Sequence, residues 1–234
     1  KKQQFSQKVE NSMQMGKDKL KRFSQLKTFK NVIQPPTNYL SEDNPVKGNW
    51  YEIFGNRNPI IIELGCGAGE YTNGLARLFT NINFIGIDIK GARIWKGATL
   101  SHKKKLDNVR FLRTQIEQLD KFFYDEEISE IWITFPDPQI KYRRRKKRLT
   151  SVTMLELYKK ILKKNGLIHL KTDSEFLHGF TLGILENLNV EIVKSTHDLY
   201  KSKIDSSVLE IKTFYETMFL KKKKPITYIC FKFI

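Results

Sequence analysis

Two groups of residues in this sequence have the types and spacing to do chemistry. The first is Glu63 with Gly65, Gly67 and Gly69 in IIELGCGAGEYT, followed by Asp88 in GIDI. Glycines at a strand-to-helix turn let the backbone pass close to a ligand, and in an open α/β sheet that crevice is the usual binding place. The second is Asp137 in FPDPQIKYRRRKKR, held between Pro136 and Pro138, with seven of the eight side chains of 141–148 cationic. The two prolines fix φ and remove N–H groups, so they hold the turn rigid and aim its carboxylate.

The glycine spacing is G-x-G-x-G, not the G-x-G-x-x-G of dinucleotide sites. A dinucleotide sets its pyrophosphate on a helix N-terminus. S-adenosylmethionine has no phosphate and carries a cationic sulfonium and amine, so a carboxylate at Glu63 suits it and repels a diphosphate. Asp88 can accept both ribose hydroxyls through charge-assisted bonds, or serve as a helix N-cap. Gln115 lies where an amide can serve the adenine edge, or where a surface Gln simply follows a strand. A carboxylate such as Asp137 inside a cationic rim is what a guanine reader needs. It accepts from N1–H and the exocyclic amine while the basic run, Arg143 and Arg148 included, holds phosphates. An Asx turn is the structural alternative for Asp137. Asp173 has an N-cap as its rival reading, and Thr213-Phe214-Tyr215-Glu216 has capping-box spacing.

Positioning these groups requires strands that end beside them. PIIIEL, NFIGIDI, VRFLRT, ISEIWITF, GLIHLKT and VEIVKS are short β-branched runs, with helical stretches at 90–104, 152–164 and 174–187 between them. The alternation predicts right-handed βαβ units and a mostly parallel, doubly wound α/β sheet. ITYICFKFI at 226–234 has no helix after it and is expected as an added edge or an antiparallel strand. Residues 1–35 read as a mobile basic arm, ending at Pro35-Pro36, and 36–234 as one domain.

Lys and Arg number 42 against 25 Asp and Glu, a formal charge of +17. The excess is confined: residues 1–30 carry +7, 141–148 another +7 and Lys221–Lys224 +4. Confined charge reads as a polyanion-binding surface, nucleic acid before membrane because no basic stretch adjoins an amphipathic anchor. Solvated lysine-rich faces are the plainer reading. Cys66 and Cys230 make no disulfide framework, and the four histidines share no ligand spacing, so no metal is expected. No apolar run of ~18 residues and no signal peptide is visible, which points to the cytoplasm and away from membranes. Monomer and homodimer both stay open.

IIELGCGAGE, FIGIDI, FPDPQIKYRRRKKRLT, LKTDSE and TFYE, in this order, resemble the motifs of bacterial single-chain tRNA (guanine-N7-)-methyltransferases from about residue 59 to the end. The resemblance implies a Rossmann-like class I methyltransferase fold with an antiparallel C-terminal strand. It implies S-adenosyl-L-methionine as methyl donor and N7 of the variable-loop guanine of tRNA as acceptor. Glu63, the glycines, Asp88, Gln115 and Asp137 are then donor residues, and Asp137 also stands at the catalytic centre. Lys141, Asp173, Thr213, Phe214, Tyr215 and Glu216 are assigned by it to the RNA. The sequence departs from the family pattern at Gln139, where Trp is usual, at Gln115, where an acid is usual, and at Arg144, where His is common. Two other readings are another RNA base methyltransferase and a non-catalytic RNA-binding module on a methyltransferase fold.

Overall fold

The β-branched runs become strands of one sheet. The computed structural model describes residues 20–35, 44–204 and 211–234. Its strands are β1 Val32–Ile33, β2 Ile60–Leu64, β3 Asn83–Ile87, β4 Val109–Leu112, β5 Ile128–Thr134, β6 Leu162–Thr172, β7 Val190–Thr196 and β8 Thr227–Phe233. Their order is β1-β4-β3-β2-β5-β6-β8-β7, parallel from β1 to β6. β8 runs antiparallel to both of its neighbours. It is therefore interior, not an edge, and the edge falls to β7. The physical reason lies in the side chains: the first five residues of β8 are buried, whereas most of β7 is exposed.

Side chains alternate across the sheet and feed two cores. Ile60, Ile62, Leu64, Ile85, Ile87, Ile131 and Ile133 face one, where the helices Val152–Ile161 and Glu175–Leu185 pack. Ile61, Phe84, Phe111 and Trp132 face the other, beneath the helices Glu70–Leu78 and Gly91–Lys103. Burial on both faces explains why these strands are near-continuously apolar rather than alternating. The strand order reverses between β2 and β5, so the crevice beyond their C-terminal ends is the switch point of the sheet.

Residues 20–35 of the expected mobile arm are docked. Leu26 is buried, the Asn31 amide donates to the carbonyl of Ala98 at 3.1 Å, and β1 pairs with β4. Arg22 lies over the Trp95 ring and Arg113 over Phe23. Residues 1–19 and Pro36 lie outside the described residues. Among the described residues no helix is long and apolar enough to cross a membrane.

Candidate active site

At the switch point a cavity of about 350 Å³ is lined by Glu63, Gly65, Gly67, Thr134, Phe135 and the segment Thr213-Phe214-Tyr215. Glu63, the penultimate residue of β2, lies inside the sheet and is 4% exposed. Its carboxylate accepts from the Thr134 hydroxyl at 2.6 Å, from the Thr72 amide at 2.9 Å and from the Thr72 hydroxyl. Burial pushes its pKa up from 4.5 to about 7, against the pull of those hydrogen bonds. The cavity thus has a buried carboxyl group at its floor.

Gly65, Gly67 and Gly69 have φ of +70°, +56° and +65°, a region that L side chains avoid. Their reasons differ. A Cβ on Gly65 would meet nothing within 4 Å, and one on Gly67 only a backbone oxygen at 3.9 Å, so the space beside both is open to a ligand. A Cβ on Gly69 would strike Phe111 at 2.6 Å, so Gly69 serves helix packing. Asp88, at the end of β3, accepts from the Gly67 amide at 3.0 Å and from the Lys90 amide at 2.8 Å. It pins the glycine loop and does not cap the next helix, whose N-cap is Lys90. Gln115 is exposed three residues after β4 and does not line the cavity.

β5 delivers the second carboxylate. Phe135 and Gln139, both at φ +47°, bracket Pro136-Asp137-Pro138. Such backbone persists only where the surroundings over-determine it, at a cost of about 1–3 kcal/mol per residue. Here the Phe135 amide donates to the carbonyl of Lys171 at 2.8 Å, and the Phe135 ring stacks on Phe219. The carbonyl of Gln139 accepts from Arg148 at 3.1 and 3.3 Å. Asp137 is exposed and also accepts from the Gln139 amide at 3.0 Å, so the Asx turn and an outward carboxylate coexist.

Beyond this loop, Tyr142–Lys147 forms a short 3-10 helix that leaves Lys141 and Arg143–Lys147 exposed. Arg148 departs from the expected phosphate-holding role. It is 5% exposed, clamped between Phe176 and Phe180, and spent on the Gln139 carbonyl. Asp173 pairs with Lys224 at 3.4 Å, and Ser174, not Asp173, caps the following helix.

The helix Phe214–Lys221 is capped by Thr213, whose hydroxyl accepts from the Glu216 amide at 3.1 Å. The reciprocal half of a capping box is missing, because the Glu216 side chain turns inward. Glu216 is fully buried, 2.7 Å from the Lys171 ammonium. Phe214 and Tyr215 stay exposed at the cavity, edge to face with each other.

Several residues of the site carry no announcement in the sequence. Thr72 and Thr134 hold Glu63, and Glu70 accepts from the Phe214 amide at 2.8 Å, tying the last helix to the glycine loop. Arg93 and Lys96 line the cavity from one face of their helix, three residues apart. The i, i+3 spacing of those two cations is visible in the sequence, but not what the face meets.

A methyltransferase family model matches residues 57–229. The chain is 54% identical over 220 residues to the tRNA (guanine-N(7)-)-methyltransferase of Christiangramia forsetii, covering 93% of this chain and 98% of that protein. It is 48% identical to the enzyme of the same name from Bacteroides fragilis, covering 93% and 86%. Among solved structures, an antibiotic-related methyltransferase superposes with a TM-score of 0.58 at 18% identity, covering 88% and 98% of the two chains. The 16S rRNA methyltransferase KamB superposes at 0.60 and 11% identity, covering 78% and 92%. These structural likenesses bear on the fold.

Proposed function

Because the chain belongs to the tRNA (guanine-N(7)-)-methyltransferase family, we propose that it transfers a methyl group from S-adenosylmethionine to N7 of the variable-loop guanine of tRNA. The observation that carries this reading is one crevice holding a buried carboxylate, Glu63, under an open glycine loop, and lined by Phe135, the first residue of the loop that carries the exposed Asp137 and leads into the basic run. The donor residues fit the group: an acidic floor suits a cationic ligand, and the open space beside Gly65 and Gly67 admits its body. Bound there, S-adenosylmethionine supplies an electrophilic methyl on a positively charged sulfur. Glu63 and the glycine loop hold it, and Asp88 keeps that loop in place.

Guanine N7 has an in-plane lone pair and no proton to lose, so no strong general base is required. Alignment supplies most of the rate. N1–H and the exocyclic amine lie on the opposite edge of the base from N7. Asp137 accepts from that edge and leaves N7 free for the donor. As positive charge develops on the ring, those N–H groups become better donors, and the bonds to Asp137 tighten in the transition state. Lys141, Arg143 and their exposed neighbours hold phosphates, and Phe214 and Tyr215 offer faces for stacking. Asp173 contributes at the rim beside Lys224. A tRNA substrate accords with a cytoplasmic reaction.

Competition between unmodified tRNA and a 16S rRNA fragment for labelled methyl tests the substrate class, since KamB shares the fold and its name specifies rRNA. Label is expected in tRNA alone. Label in the rRNA fragment at comparable efficiency would sink the tRNA reading.

A further inference from the structure

Lys171 lies on β6, 1% exposed and among the largest fully buried side chains. Its ammonium is 2.7 Å from Glu216 Oε1, and the same oxygen accepts from the Tyr200 hydroxyl at 2.6 Å. A buried charge pair is costly to desolvate and is weak evidence for stability by itself. Its position is informative. The backbone carbonyl of Lys171 receives the amide of Phe135, the first residue of the loop that carries Asp137. Glu216 sits in the first turn of the helix whose N-cap Thr213, with Phe214 and Tyr215, lines the cavity. The pair therefore joins the acceptor loop to the segment on the facing wall.

We infer that Glu216 is a positioning residue that acts through Lys171 and makes no contact with RNA, and that Lys171 is its partner in setting the distance between the Asp137 loop and the Thr213–Tyr215 segment. This rests on the methyl-transfer reading above. Glu216 is 0% exposed: its Oε1 holds an ammonium and a phenol, and its Oε2, though unpartnered, is buried as well, so neither oxygen has surface to offer a polynucleotide. The Lys171 ammonium also lies over the Tyr71 ring, so it meets the helix that follows the glycine loop. Three elements of the site meet at this ion pair. A shift of one relative to another would misplace N7 without altering any phosphate contact.

The test uses full-length Glu216→Gln, Lys171→Met, the double variant and Tyr200→Phe, with donor affinity, tRNA affinity and kcat measured for each. Wild-type methylation of tRNA is measured first, and its absence would remove the functional reading rather than this one. Each single change at the pair is expected to lower kcat by about 10-fold or more, with tRNA affinity within about 2-fold of wild type. The double variant should lose no more than the worse single, because the two side chains act as one unit. Tyr200→Phe keeps the inference falsifiable if the charged variants do not fold: it should lower kcat several-fold at unchanged tRNA affinity. A Glu216→Gln protein that loses about 10-fold or more in tRNA affinity while Lys171→Met does not would overturn the inference in favour of direct contact. Unchanged kcat in the folded variants, or in Tyr200→Phe, would overturn it in favour of a purely structural pair.

Discussion

Glu63 carries the most readable residue-level consequence. With its pKa raised to about 7 by burial, the free protein is partly protonated there at neutral pH, and on the proposed reading a cationic donor binds the ionised form. Donor affinity should therefore fall about tenfold per pH unit below 7 and level off above it, with a proton released on binding at pH ~6. Calorimetry in buffers of different ionisation enthalpy reads that proton. An affinity independent of pH, with no proton release, would mean Glu63 does not face the cation. Asp137→Asn keeps the side-chain shape but presents a donor where guanine N1–H and its amine also donate. Near-normal donor binding and a turnover loss of at least ~10²-fold are expected, and full N7 methylation by the folded variant would remove Asp137 from the reaction. Glu63 and Asp137 were legible because glycine and proline punctuate the chain beside them. Arg148 and Glu216 were not: their burial depends on Phe176 and Phe180, and on Lys171, which no local pattern in their own segments announces.

The 3-10 helix Tyr142–Lys147 carries the second test, at the level of an element. Its arginines are exposed, with Arg145 over the Tyr142 ring and no acidic residue in its own turn. Replacing Arg143, Arg144 and Arg145 by Ala should weaken tRNA binding and lower the log–log salt slope by roughly 0.7–0.9 for each phosphate that the variant no longer neutralises. Donor affinity should survive, since the run does not line the cavity at the switch point, where the donor is proposed to bind. An unchanged slope would make it a solvated face. Strand identities were legible from β-branched runs, but the place of β8 was not, because its neighbours depend on which long strand takes the edge. The exposed side chains of β7 settle that only once both are in the sheet.

For the whole molecule, two buried groups predict how stability varies with pH. Burial pulls the His169 imidazole down, but Cys230 and the Glu130 carboxylate at 3.2 Å outweigh it and lift the pKa from 6.5 to about 9. Its stabilising contribution is complete below 6.5 and is lost as pH rises through 9. Glu63 is a carboxylate raised above its ordinary 4.5, so the native state favours its protonated form, and that advantage is lost as pH climbs toward 7. Both act in the same direction. Between pH ~6 and ~9 the donor-free protein should lose on the order of 3 kcal/mol, a fall in Tm of about 6–12 °C. A flat or rising Tm over that range would contradict both assignments. The class of fold was legible from the alternation of strands and helices. The docking of residues 20–35 was not, because a lysine-rich segment reads as solvated until Trp95 receives its Arg22 and Arg113 covers its Phe23.

The most direct measurement identifies the methylated atom. Unmodified tRNA is incubated with the protein and labelled S-adenosylmethionine, then digested to nucleosides, beside a tRNA whose variable-loop guanine is replaced by adenine. The expected result is 7-methylguanosine from the first tRNA and no label in the second. Label in any other nucleoside, or equal 7-methylguanosine from the substituted tRNA, would contradict a site built to hold that one guanine.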